Sequence, residues 1–259
     1  MSMTAVLRGE VALVVRGFRL IGRQPVGIAM MIIQPLVWLL IYSQLFHSLP
    51  RLGGFGTSNY LAFLAPGIAI FTAFNHGAWE GGGVVQDIER GTIDRFLATP
   101  LPAGALLSSR AVQAAITGAV QAVFVITVAM IFGAQLRGGI FGLITLVAAA
   151  ILVCVAFAAF NQGLALLVRR LETMTLVGVM ITFPLMFTST MFTSGQQLPP
   201  WMRQVAAANP VNWAVEVARS AMIDTDWAGT AARLAALAAL VAATETFALL
   251  SLRRYRRSL

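Results

Sequence analysis

A chain of 259 residues that is 58% hydrophobic and only 11% charged, with a mean hydropathy of +0.82, lies far below the roughly 25% charge of ordinary soluble domains, which excludes a large water-soluble core. All 18 Lys/Arg positions are arginine and the net charge is +8; without a lysine there is no ordinary P-loop, whose lysine must reach the phosphates, so any use of ATP falls to a partner. The pI near 11.3 does not indicate nucleic acid, because the arginines sit at the ends of apolar runs, where membrane topology accounts for them.

Residues 1–24 are predicted to form an amphipathic helix. At about 100° per residue, Leu7, Val11, Val14, Phe18 and Ile21 share one face and Arg8, Arg16, Arg19 and Arg23 the opposite one, as in a helix lying on a lipid surface. Glu10 falls near the apolar face and breaks the pattern, which a partner contact or an ion pair explains and a lipid anchor does not. The arginines are too widely spaced for a cleavable signal peptide, and no small-residue cleavage site comes after the first span.

Six runs then reach the ~20 apolar residues that a crossing requires: 26–46, 61–85, 105–132, 140–168, 173–193 and 229–252. The second carries Asn75, His76 and Glu80; intramembrane polar groups are costly and often functional. A histidine and a glutamate four apart lack the further ligands a metal needs. Glu80 either pairs with a basic residue or attracts cationic substrates at an inner vestibule. Gly77, Gly81, Gly82 and Gly83 fit close helix packing. Gln113, Thr117 and Gln121 make a polar stripe on the third run, and Asn161 and Gln162 lie in the fourth; hydrogen bonds between helices account for both. The lone cysteine, Cys154, allows no disulfide framework. The fifth run mixes Phe183, Phe187 and Met191 with threonines, which reads either as an adaptable apolar pocket or as lipid-facing packing. Glu245 in the last run reaches the interface or pairs with an arginine such as Arg110.

The connection 86–104 is the most charged part of the interior sequence. It holds Asp87, Glu89, Arg90, Asp94 and Arg95; Gly91 permits a tight bend, and Thr99-Pro100 reads as an N-cap with proline at the first helical position. Charges of both signs suit a protein surface better than anionic lipid. Before the last run, residues 195–228 are too polar to cross but rich in interface-seeking tryptophan (Trp201, Trp213, Trp227), and predict short amphipathic or re-entrant helices broken at Asn209-Pro210. With six crossings, most arginines fall on the side of the termini and of 86–104, which places both termini and that loop in the cytoplasm.

Glu89-Arg90-Gly91-Thr92 followed by Ala98-Thr99-Pro100-Leu101, with Leu198-Pro199-x-Trp201 and Asn209-Pro210-Val211-Asn212-Trp213-Ala214-Val215-Glu216-x-x-Arg219, resembles the permease subunit of ABC-2 type exporters, nearest to the daunorubicin-resistance and nodulation-type permeases. The likeness covers essentially the whole chain. It implies an all-α membrane protein of six transmembrane helices with an N-terminal interface helix (Glu10, Arg16, Arg19, Arg23), a cytoplasmic coupling helix and short extracellular helices before the last span. It further implies two permease copies, or a permease and a homologue, over two cytosolic ATPase subunits that carry the ATP and Mg, no cofactor being bound by this chain. Glu89, Arg90, Gly91, Thr92, Asp94, Arg95 and Phe96 are the expected ATPase contacts. The second and fifth spans are expected to line the dimer seam, with Asn75, His76, Glu80, Phe183, Phe187 and Met191 along the substrate path. The implied activity is export of a hydrophobic, drug-like or lipid-like substrate across a bacterial cytoplasmic membrane, the alternatives being a lipid-linked glycan exporter or a secondary transporter. No catalytic constellation is present in the sequence.

Overall fold

The computed structural model describes residues 3–22, 25–53, 55–57, 59–98, 104–223 and 227–258. Arg23, the Thr99-Pro100 cap and the Glu10 side chain lie outside the described residues. The elements in chain order are α1 (Met3–Gly22), α2 (Pro25–Leu45), α3 (Tyr60–Glu89), α4 (Thr92–Leu97), α5 (Gly104–Ile131), α6 (Gly139–Val168), α7 (Leu171–Phe187), α8 (Pro200–Ala208), α9 (Pro210–Met222) and α10 (Trp227–Arg256), with two 3-10 turns, Leu49–Leu52 and Gly195–Gln197. Five of these helices, α2, α3, α5, α6 and α10, are long and apolar enough to cross a membrane. The protein is an all-α multi-span helical bundle.

Helix α3 is the centre, with α2, α5, α6, α7 and α9 packed around it. Small residues set its approach to α6: a Cβ on Gly77 would stand 2.3 Å from the Cys154 carbonyl oxygen and 3.0 Å from the Ala158 nitrogen. Where lipid replaces water, close backbone contact and dispersion replace hydrophobic burial as the force between helices. Phe74 meets Phe157 edge-on at 4.6 Å just beside this crossing. Helix α10 lies on α6 in the same manner, with Phe247 and Ala248 filling the space over Gly163. The outer face of α2 (Val26, Met30, Ile33, Val37, Ile41) stays exposed, as a lipid-facing surface does.

One expectation needs correction. The run 173–193 forms a helix only to Phe187, so α7 has 17 residues, roughly 26 Å at 1.5 Å per residue. Pro184 weakens its last turn, and the chain beyond Phe187 is held from a distant segment: the Asn209 side chain donates to the Leu185 carbonyl at 2.7 Å and to Thr188 Oγ1 at 3.1 Å. The polar segment 195–228 contains α8 and α9. Asn209 does break it, capping α9 by accepting from the Val211 and Asn212 amides at 2.9 and 3.4 Å with Pro210 in the first turn. Yet α9 buries Val211, Val215, Val217, Ala218 and Met222 against α3, α6 and α10, and only α8 keeps an exposed face.

Candidate functional site

The charged connection is built by a sharp reversal. Helix α3 closes at Glu89, Gly91 turns at φ 63°, a left-handed conformation that glycine adopts without penalty, and α4 begins at once. Ile93 anchors α4: it is 1% exposed, in a cluster with Val84, Val85, Leu107, Leu166 and Leu252. Glu89, Arg90, Asp94 and Arg95 are exposed on the other side, and Phe96 is half-buried. The predicted contact residues therefore share one short, firmly seated projection.

Two partners of this projection are not apparent from sequence. Tyr255, near the end of α10, donates its hydroxyl to Asp94 Oδ1 at 2.9 Å. The Arg169 guanidinium lies 4.5 Å above the Tyr255 ring and donates to Ser258 Oγ at 2.5 Å. Arg169 is the two-residue joint between α6 and α7 with Arg170, and takes a left-handed φ of 57°. Helix α4 is thus tied to α6, α7 and α10 at a single point. Tyr255→Phe should cost about 1 kcal/mol, one hydrogen bond, while Tyr255→Ala should cost about 3–5 kcal/mol through the lost ring; thermal unfolding of the purified protein in detergent checks both.

Asn75, His76 and Glu80 meet at a cavity of about 300 Å³ between α2, α3 and α5, which Trp79 and Gln121 also line. Glu80 is flanked by His76 Nε2 at 3.3 Å and Arg110 Nη1 at 3.5 Å. Arg110 makes its tighter pair with Asp87, so it is not the partner of Glu245. Trp79 donates to Asn75 Oδ1 at 3.1 Å. Among the described residues no group of three or more His, Cys, Asp or Glu could hold a metal.

The other expected path residues lie elsewhere. Phe183 and Phe187 stack at 6.2 Å on the exposed face of α7. Met191 is fully buried (0% exposed), its chain against Gly67; the break of α7 at Phe187 turns it inward. Helix α3, expected at a dimer seam, is wrapped by its neighbours for most of its length. Gln113 reaches the Leu13 carbonyl at 3.5 Å, where α1 crosses α5 at Gly17, so α1 is docked on the bundle.

At the opposite end of α3 from α4, a second polar network joins the turn after α7 to α9 and α10. Asn212 Oδ1 accepts from the Thr190 amide at 2.8 Å and hydroxyl at 2.7 Å, and Asn212 Nδ2 donates to Glu216 Oε1 at 2.9 Å. Glu216 Oε2 pairs with Arg233 Nε at 2.7 Å. Arg219 donates to the Thr190 carbonyl at 2.8 Å and to its hydroxyl at 3.1 Å, with its guanidinium 3.8 Å above the Phe63 ring. Burial pushes Arg219 down to about 10, Glu216 opposing the shift, so the charge persists at neutral pH. The signal for this network is in the spacing: Asn212, Glu216 and Arg219 at i, i+4 and i+7 share one helix face.

Known proteins share this architecture's sequence. The profile of the family described as ABC-2 type transporter matches residues 10–223. A protein named as a putative transport permease, ycf38, from Porphyra purpurea is 31% identical over 221 residues, covering 83% of this chain and 74% of its own; its namesake from Pyropia yezoensis is 31% identical over 224 residues, with the same coverage. The daunorubicin resistance ABC transporter permease protein DrrB1 of Streptomyces coeruleorubidus is 26% identical over 203 residues, covering 78% of this chain and 70% of its own. With the match spanning both the α3–α4 reversal and the α8–α9 network, the chain belongs to the ABC-2 type transporter family, as a multi-pass membrane permease subunit of an ABC transport system that catalyses no reaction itself.

Proposed function

We propose that this permease is the export path of an ATP-driven transporter, moving a hydrophobic, drug-like or lipid-like substrate outward across a bacterial cytoplasmic membrane. Two cytosolic ATPase subunits supply ATP and Mg, and a second permease copy or homologue completes the path. The chain crosses six times, α7 serving as the short fifth span, with both termini and residues 86–104 cytoplasmic and residues 195–228 extracellular. The observation that carries the reading is α4 with the reversal before it: a six-residue helix held by Ile93 from beneath, with Glu89 and Arg90 of the reversal and Arg95 of α4 exposed, and linked through Asp94 to Tyr255 and so to α6, α7 and α10. A push on α4 reaches those helices as one body, the rigid-body kind of switching. Helix α1, resting on α5 with Arg16 and Arg19 exposed, buttresses the joint at the lipid surface.

Because Asp94 is engaged by Tyr255, the docking face is tested by Glu89→Arg with Arg95→Glu, which leaves that bond alone. Pull-down of the tagged protein from its native membrane in mild detergent should recover a stoichiometric ATPase with the unaltered chain and none with the double variant, at equal size-exclusion profiles. Retention of the ATPase by the variant would remove α4 from the docking surface. Absence of an ATPase from a folded, unaltered preparation would favour a secondary transporter.

A further inference from the structure

Beside the Asn212–Arg233 network lies a cavity of about 320 Å³, bounded by the loop at Gly56, the turn at Ser194-Gly195, α9 and α10. Among the described residues its charged groups are Glu216, Arg219 and Arg233: two positive charges against one negative. The carboxylate is fully occupied, Oε1 accepting from Asn212 and Oε2 pairing with Arg233 Nε. Arg233 is 34% exposed, and that pair leaves both of its terminal nitrogens without a partner among the described residues. Ser220, half-buried on the same wall, has a hydroxyl likewise without one. Each Nη of Arg219 gives a single bond to Thr190, and a guanidinium has five N–H groups. The uncommitted groups are therefore donors around an unbalanced positive charge, the arrangement that an anion completes.

The level of the cavity in the membrane says which anion is at hand. Helix α10 starts at Trp227, which is 51% exposed, and exposed tryptophan marks the membrane–water interface. Arg233 follows six residues later, about 9 Å deeper at 1.5 Å per residue. An arginine at that depth calls for a counter-charge, and beyond Glu216 the anions of this layer are lipid phosphates. We infer that the cavity binds the headgroup of an anionic phospholipid, its phosphate held by the Arg233 terminal nitrogens, Ser220 and Arg219. A zwitterionic headgroup would bring its own cation among the arginines. The volume is at the lower end of the roughly 300–1,000 Å³ of small-molecule sites; it admits a headgroup and leaves the acyl chains in the bilayer. The inference goes beyond the export reading and holds whatever substrate is moved.

The test is a lipid titration of the purified full chain in detergent, read by native mass spectrometry. The probes are dioleoylphosphatidylglycerol and dioleoylphosphatidylcholine, which share acyl chains and differ in net charge. One phosphatidylglycerol should bind at least about tenfold more tightly than phosphatidylcholine. Arg233→Ala should weaken that binding about tenfold and Ser220→Ala about two- to fivefold. Two exposed arginines outside the cavity serve as controls, Arg137 and, at the α4 end of α10, Arg254; alanine at either should leave the tight binding unchanged. Ser220→Ala breaks no bond among the described residues, so it decides the matter should Arg233→Ala fail to fold. Three results would overturn the inference: equal affinity for the two lipids, a tight site lost with Arg254→Ala and kept in Arg233→Ala, or displacement of the lipid by millimolar inorganic phosphate, which marks a free-anion site. The titration involves no ATPase, so it and the α4 pull-down can each fail alone.

Discussion

Gly77→Ala should lower stability by about 2–4 kcal/mol, although alanine is the better helix former by about 1 kcal/mol. The two effects oppose each other, and geometry decides which wins. The added Cβ would stand 2.3 Å from the Cys154 carbonyl oxygen, a backbone atom that cannot swing aside as a side-chain tip can. Helices α3 and α6 would have to separate along their whole crossing, opening the Phe74–Phe157 contact beside it. Gly82→Ala is the matched control: its Cβ meets only Leu171 Cδ1, at 3.5 Å, so the propensity gain is unopposed and stability should rise, by up to about 1 kcal/mol. Size-exclusion after a series of heating steps in detergent separates the two. Equal melting would mean that the α3–α6 crossing is not as tight as described.

Asn212→Leu should be comparably severe, by a different route. The side chain is 1% exposed, and leucine occupies similar space, so no large void forms. What is lost is the acceptor for the Thr190 amide and hydroxyl and the donor to Glu216. Leaving a buried amide unpaired costs about 1–3 kcal/mol, and the weakened hold on Glu216 adds to it. The expected signature in hydrogen exchange is faster exchange at Thr190 and its neighbours, with α3 and α6 unaffected. Arg233→Ala removes only the outer end of the network, where both partners are about one-third exposed, and should cost no more than about 1 kcal/mol. If Arg233→Ala loosened the 188–194 turn as much as Asn212→Leu, the pairing of Thr190 would not be what holds it.

The long helices are legible in the sequence because their cause is local. Apolar runs of sufficient length have one way to satisfy their backbone in lipid, and α2, α3, α5, α6 and α10 begin and end close to where the composition changes. The bend at Gly91 is legible for the same reason. The end of α7 is not: its sequence stays apolar past Phe187, and the interruption comes from Asn209 and Asn212, some twenty residues later. The depth of α9 is hidden likewise, since a helix carrying Asn212, Glu216 and Arg219 reads equally as amphipathic or re-entrant until its polar groups are seen to pair with Thr190 and Arg233. At the site, the charges of α4 can be read, but Tyr255 cannot. It sits among arginines at positions 253–257, and its partner Asp94 is 161 residues away. Met191 reads as a path residue because composition alone does not say which way a chain turns after a helix breaks.

Residues 81–83 of α3 are three consecutive glycines, and each weakens a helix by about 1 kcal/mol relative to alanine; runs of small residues are where helices bend. Arg110 bridges this stretch from outside, holding Asp87 on one side and Glu80 on the other, its guanidinium within 3.6 Å of where a Gly83 Cβ would stand. The softest segment of the central helix therefore carries a splint, and the splint belongs to α5. The shape of α3 between the cavity and α4 is therefore set by two helices together, and a sequence change on either one resets it.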